Sequence, residues 1–244
     1  MSRIRLDLML EQRGLMPSRA RARDAILRGT VTVNGVRAKK PNQMVGEDDA
    51  LTLDDPAAGY VSRAALKLIA GLDAGAIDVA GKTCLDVGSS TGGFTQVLLE
   101  RGAARVFAVD VGHDQLHASL RGDARVVSLE GTNARDLDRA LVPDPVDLIV
   151  SDVSFVSLTK VLAAPLGLCK PDAQAVLLFK PQFEVGRDFV GKGGIVTDTQ
   201  AAARAMGDVV RFVEGHGFAL KTQVASPIAG GDGNIETVLV FGRS

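Results

Sequence analysis

The pattern of apolar and polar positions changes period along the chain, and each change marks an element. From Leu6 to Leu10 and again from Ala20 to Leu27 apolar residues recur at helical spacing, and Ser18 after Pro17 is placed to cap the second helix. The period then falls to two: Val31 and Val33 alternate with threonines, Asn34-Gly35 is a hairpin turn signal, and Val36 starts the return strand. Two helices and a hairpin predict a small α+β domain over residues 1–55. The stretch from Asp54 to Gly59 carries no periodicity and predicts a linker, placed at 56–60, ahead of a second domain over 61–244. There a helix is predicted from Ala64 to about Leu72. Strands follow over 83–87, 105–110, 125–129, 146–151 and 174–179, alternating with helices near 93–101, 113–120, 158–168 and 198–214. Such alternation predicts an α/β fold with a doubly wound, mostly parallel sheet. The last two apolar runs, Phe218–Val224 and Glu236–Phe241, are separated only by a loop too short for a crossover helix. They predict an antiparallel pair at one side of the sheet.

The stretch from Thr83 to Thr95 organises the second domain. An apolar strand breaks at Gly88, and a helical pattern resumes at Gly93 with Phe94, Val97 and Leu98 on one face. Glycines let a backbone approach a ligand closely, and the N–H groups of a helix start favour polar or anionic ligand groups, which points to a nucleotide-like molecule. The strand Val106–Asp110 ends in an acid, where a Rossmann-type fold places the carboxylate that binds a ribose diol. A dinucleotide fingerprint would need glycine where Ser90 stands. The pattern present is D-x-G-x-x-x-G, formed by Asp86, Gly88 and Gly92, which is typical of S-adenosylmethionine-dependent methyltransferases. Ser89, Gly93 and Phe94 join the predicted cofactor set, with Asn133, after the third strand, as an adenine contact.

Charge adds a second function. The net charge of −1 conceals an asymmetry: residues 1–40 hold ten basic side chains against Asp7, Glu11 and Asp24, and the remainder holds 18 basic against 26 acidic groups. A basic head on an acidic body is the charge footprint of a nucleic-acid-binding module joined to something else. Tryptophan is absent and there is one tyrosine, which argues against an aromatic platform for single strands. The two cysteines, Cys84 and Cys169, sit beside apolar residues and predict buried, inert thiols. No apolar run suits a signal peptide or approaches the roughly 20 residues of a membrane span, so a soluble, cytoplasmic protein is expected.

Within the basic head, Arg5-Leu6-Asp7, Ser18-Arg19, the run from Ile26 through Gly29, Val31, Val33, Asn34 and Gly35, and the later Val45 and Asp48-Asp49 resemble the S-four RNA-binding domain. The resemblance spans residues 3 to about 53 and implies RNA contact through Arg3, Arg5, Arg19, Arg21, Arg23 and Arg28.

In open α/β sheets ligands bind beyond the carboxyl ends of the strands. Strand four ends in Ser151-Asp152-Val153-Ser154-Phe155, strand five in Phe179-Lys180-Pro181-Gln182-Phe183-Glu184, and the final strand opens with Asn234-Ile235-Glu236. An acid and a lysine closing apolar strands are costly unless they pair or take part in chemistry. A structural ion pair between Asp152 and Lys180 is the plain alternative. With Lys67 from the entry helix and Glu236 the set exceeds a pair, and it matches the Lys, Asp, Lys, Glu arrangement of FtsJ-type 2′-O-ribose methyltransferases. Tyr60-Val61-Ser62-Arg63, Lys67-Leu68, Asp152-Val153-Ser154-Phe155 and Lys180-Pro181-Gln182-Phe183-Glu184, joined to the basic head, resemble the TlyA family of rRNA methyltransferases, often labelled haemolysin A. One departure is Ala64-Ala65, where the family pattern leads us to expect two glycines; it stiffens the helix start beside Arg63 and Lys67.

The resemblance implies 2′-O-methylation of cytidine in ribosomal RNA with S-adenosylmethionine, and ribosomal RNA or ribosomal subunits as partners. It gives Lys67, Asp152, Lys180 and Glu236 the catalytic roles. Lys180 suits proton abstraction with Asp152 orienting it, Lys67 suits alkoxide stabilisation with Glu236 fixing the lysines, and either lysine satisfies the role of base. A non-catalytic ribosome-assembly factor and a haemolysin are the competing classes; intact catalytic residues oppose the first and the lack of a span opposes the second. Gly186 to Lys192 mimics the start of a P-loop, but Gly193 replaces the magnesium-binding hydroxyl residue. The segment 181–196 reads instead as a mobile, glycine-rich loop over the site, with Arg187 and Lys192 joining Arg63 as RNA contacts. His113, His117 and His216 form no metal-like grouping, and no metal is expected.

Overall fold

The computed structural model describes residues 3–243; the domain ends placed at 1 and 244 lie outside the described residues. The chain divides into two compact units, Met1–Gly59 and Tyr60–Ser244.

In the first unit, β1 (Ile4–Arg5) leads into α1 (Leu6–Gln12) and α2 (Arg19–Arg28), followed by β2 (Val31–Val33), β3 (Val36–Arg37), β4 (Met44–Val45) and β5 (Leu51–Leu53). The Ser18 hydroxyl accepts a hydrogen bond from Arg21 N, and Gly29 closes α2 in the left-handed conformation. Strands β3-β2-β5 form one small sheet and β1-β4 a two-stranded ribbon. Leu6, Leu10, Ile26, Val31 and Val45 are buried between helices and strands. Strands β1, β4 and β5 were too short to show a period in the sequence. The expected linker also differs: Asp55 accepts both terminal nitrogens of Arg28 at 2.8 and 2.7 Å and takes the Ala57 N–H at 2.9 Å, so residues 55–57 are tied into this unit.

The second unit opens with α3 (Ala65–Ala74), β6 (Thr83–Val87), α4 (Gly93–Glu100), β7 (Arg105–Asp110), α5 (Ala118–Arg121), β8 (Val126–Glu130) and β9 (Val146–Ser151). It continues through α6 (Leu158–Val161), α7 (Ala163–Gly167), β10 (Cys169–Phe179), α8 (Pro181–Glu184), α9 (Thr199–Glu214), β11 (Phe218–Ala225) and β12 (Thr237–Arg243). The seven strands run in the order β11-β12-β10-β9-β6-β7-β8. From β10 to β8 every pair is parallel; β12 is antiparallel to both β10 and β11, as the short final loop predicted. Both faces of the sheet are covered. Leu68, Leu72, Phe94 and Leu98 from α3 and α4 pack on one, while Leu158, Leu166 and Val209 from α6, α7 and α9 pack on the other. Helix α3 lies close because Gly71 faces the sheet: a Cβ there would stand 2.6 Å from methyl carbons of Val176 and Val238.

Two expected helices were shortened. Over 113–120 only Ala118–Arg121 is helical, because Glu130 accepts the N–H groups of Gln115 and Leu116 and holds 113–117 as an irregular loop. The segment 158–168 splits into α6 and α7, with Pro165, which has no N–H to donate, in the middle of the second.

Candidate active site

The strand order reverses between β6 and β9, and there the carboxyl ends of β6, β7 and β9 surround a cavity of about 460 Å³. Gly88, at φ 85°, forms its floor, and a Cβ at Gly88 would sit 3.2 Å from the Asp152 backbone carbonyl. The turn itself contributes shape more than donors. Gly88 and Ser89 both donate to Val109 O, and Ser90 N donates to Asp110 Oδ2 at 2.8 Å. Asp110 Oδ1 takes the Gly112 N–H at 2.7 Å. The carboxylate is thus braced by two amides on the cavity wall, with further lone pairs available for a diol. Asn133 lies on the same wall and caps the turn 134–136 by accepting from Arg135 N.

The rest of the predicted cofactor set is placed less directly. Asp86 stands behind the turn, fully buried, accepting from the Thr95 hydroxyl at 2.7 Å while its Oδ1 has no partner. Burial pushes its carboxyl up to about 7 against the opposing Thr95 bond, and Asp152 adds to the rise. Gly92 is the left-handed cap of α4. Ser89, Gly93 and Phe94 line a narrow cleft that also touches Asp152 and Lys180, though Phe94 is chiefly a core residue.

Next to this lies a second cavity, of about 490 Å³, on which Lys67, Lys180 and Glu236 converge. Ser154 and Phe155 line both cavities and mark where they adjoin. Lys67 Nζ donates to Glu236 Oε2 at 2.5 Å, with both side chains buried. Lys180 Nζ stands 2.6 Å from Asp152 Oδ1 and donates to Ser154 Oγ at 2.7 Å. The expected catalytic set thus forms two lysine–carboxylate pairs: Lys67, Lys180 and Glu236 line this second cavity, and Asp152 lines the first. The segment 186–196 beside them is more ordered than a plain loop. It carries two short 3-10 turns and is clasped by buried Asn234, whose side chain accepts from Val196 N and donates to Gly194 O. Arg187 and Lys192 are exposed on it, and Arg63 is half-buried near Gly231.

Phe155 was missed in the sequence. It is 91% exposed at a left-handed φ of 66°, its ring packed at 5.2 Å against Phe183. An aromatic three residues after the strand-end acid Asp152 was the available signal.

In the first unit the arginines divide. Arg3, Arg19 and Arg23 are exposed, and Arg21 is half-buried with a bond to Ala57 O. Arg5 and Arg19 both grip the buried Asp7. Arg28 departs from the expected surface role: it is 17% exposed and held by Asp24 and Asp55 together, which makes it a structural tie.

Sheet order, glycine turn and the carboxylate closing β7 define the class: a Rossmann-like methyltransferase domain following a small basic domain. Comparison with known proteins agrees. The FtsJ-like methyltransferase model matches residues 60–243 and the S4 domain model residues 4–51. A Mycobacterium tuberculosis H37Rv protein named 16S/23S rRNA (cytidine-2′-O)-methyltransferase TlyA is 49% identical over 97% of this chain and 89% of its own. Hemolysin A of Brachyspira hyodysenteriae is 40% identical over 98% of this chain and 99% of its own. A solved Streptococcus thermophilus structure described as a hemolysin superposes with a TM-score of 0.77 at 36% identity, covering 100% of this chain and 90% of that one. The chain belongs to the TlyA family of FtsJ-like methyltransferases.

Proposed function

We propose that this protein uses S-adenosylmethionine to methylate the 2′-oxygen of cytidine ribose in ribosomal RNA. The observation that carries this reading is the buried Lys67–Glu236 pair together with the Lys180–Asp152 pair, set at two cavities, one of nucleoside size, that adjoin through Ser154 and Phe155. Asp110 is placed to hold the ribose diol of the cofactor, Asn133 its base, and the turn at Gly88 the space between them. The cofactor, when bound, supplies a methyl group on a sulfonium. The protein's task is then to position one hydroxyl and take its proton.

Lys180, in its amine form, accepts the 2′-hydroxyl proton at Nζ, while Asp152 and Ser154 hold that nitrogen in place. Lys67, fixed by Glu236, presents its charge to the oxygen as negative charge develops. The exposed face of Phe155, braced by Phe183, suits stacking on the base of a nucleotide drawn out of the RNA. Arg3, Arg5, Arg19, Arg21 and Arg23 provide phosphate contacts from the first unit, and Arg63, Arg187 and Lys192 from the second. An rRNA substrate makes the cytoplasm the proposed place of action; no described helix is long and apolar enough to cross a membrane.

The test is to map 2′-O-methyl groups on 16S and 23S rRNA treated with the protein and cofactor. We expect new cytidine 2′-O-methylation that vanishes in Lys180→Ala. Methyl transfer to a base, or none to either RNA, would overturn the proposal.

A further inference from the structure

Asp7 accepts four hydrogen bonds within the first unit. Its Oδ1 accepts from Arg5 Nε at 2.9 Å and from Leu8 N at 3.1 Å; its Oδ2 accepts from Arg5 Nη2 at 2.8 Å and from Arg19 Nε at 3.0 Å. The Asp7 side chain is fully buried, whereas those of Arg5 and Arg19 are 36% and 45% exposed. The backbones beneath are also fixed. Arg5 pairs with Met44 across the β1–β4 ribbon, Asp7 N donates to Pro41 O, and Arg19 N donates to Glu11 at the start of α2. The bond from Arg5 is the main cause that holds the Asp7 carboxyl down at about 2, so the anion persists throughout the physiological range.

A guanidinium has five N–H donors. Arg5 spends two of its nitrogens on Asp7, leaving Nη1, and Arg19 spends Nε, leaving both terminal nitrogens with no hydrogen bond among the described residues. Two cationic edges therefore leave one buried carboxylate at a fixed spacing.

We propose that Asp7 is a positioning residue for RNA recognition: it locks Arg5 and Arg19 into a rigid two-pronged seat for backbone phosphates of folded ribosomal RNA. The inference rests on the reading that this protein binds ribosomal RNA. Its physical content is that order outweighs charge. Counted as charges, Asp7 cancels one of the two arginines and opposes binding to a polyanion. Counted as geometry, it removes the rotamer freedom that two long side chains would otherwise lose on binding. The gain is confined to RNA whose phosphates are themselves held in place. A flexible strand adapts to loose arginines as well as to fixed ones.

The two accounts predict opposite signs. Asp7→Asn and Arg19→Lys, each in the full chain, are titrated with folded 23S rRNA and with poly(U) at one salt concentration. Asp7→Asn is expected to bind 23S rRNA about tenfold more weakly, the scale of one lost charged contact, and poly(U) at least as tightly as wild type. Arg19→Lys keeps the charge, sits on an exposed position, and is expected to show the same selective loss, which keeps the test valid if Asp7→Asn unfolds the unit. Against ribosomal subunits the loss is expected in KM, with kcat unchanged. Equal weakening on both RNAs would make Asp7 a purely structural residue and overturn the proposal, as would wild-type or tighter binding of 23S rRNA by both variants. Failure of the wild-type protein to bind 23S rRNA at all would instead remove the functional reading beneath it.

Discussion

Glu236→Gln removes the carboxylate facing Lys67 while keeping its shape. The wild-type contact is 2.5 Å long between side chains only 8% and 2% exposed, so the variant leaves an ammonium in a site that water barely reaches. Breaking a buried pair by deleting one partner costs about 3–5 kcal/mol, and for a domain of this size each kcal/mol moves the melting point by about 2–4 °C. The second unit should therefore melt about 6–20 °C lower. Adding Lys67→Met removes the stranded charge. Because an apolar replacement of a buried pair is often close to neutral, the double variant should melt within a few degrees of wild type. Methylation should not follow: both variants are expected to stay inactive, since the charge at the reacting oxygen is gone or misplaced. Calorimetry of the full chain beside single-turnover methylation of 23S rRNA reads both quantities. An unchanged melting point for Glu236→Gln would refute the claim that burial makes the pair mutually dependent. Wild-type methylation by the double variant would show the pair to be scaffold alone.

Three further outcomes follow from the site. Asp110→Ala deletes the carboxylate braced by Ser90 and Gly112, and cofactor affinity measured by calorimetry should drop roughly ten- to hundred-fold, the worth of a charged hydrogen bond. Phe155→Ala should raise KM for rRNA with cofactor affinity unchanged, since base stacking is worth about 1–3 kcal/mol; an unaltered KM would remove the ring from the substrate site. Asp86 carries a pH signature. Its folded-state value of about 7 lies above the ordinary carboxyl value of 3.8, so the folded protein keeps a proton that the unfolded chain releases, and stability falls as pH rises from about 4 to about 7. Asp86→Asn has no proton to lose and should match wild type near pH 4 yet be more stable at pH 8, by up to about 4 kcal/mol in order of magnitude; parallel denaturation curves at both pH values would contradict this.

What could be read in advance depended on how local the cause was. The turn at Gly88 and the acid Asp110 were legible because each is set within one β–α step, and the final antiparallel pair followed from a loop too short for anything else. The helix expected over 113–120 failed because the N–H groups of Gln115 and Leu116 are taken by Glu130, a partner that no periodicity reveals. Arg28 looked like its neighbours until Asp55, in a stretch that read as linker, closed on it. The pairing of Lys67 with Glu236 had no local signal; only the family resemblance connected them.

That last pair sets an order of assembly. Lys67 and Glu236 are 169 residues apart, and the strand that Glu236 introduces, β12, slots between β10 and β11 rather than onto an edge. During synthesis the first unit is built from contacts within 59 residues and is free to fold early. The proposed catalytic cavity has no such freedom. Until β12 is made, β10 lacks a neighbour on that side, Lys67 lacks its counter-charge, and the proposed site is missing a wall. On the proposed function, the unit that contacts RNA is complete in the nascent chain before the unit that methylates it, whose cavity waits for the strand that fills the gap between β10 and β11.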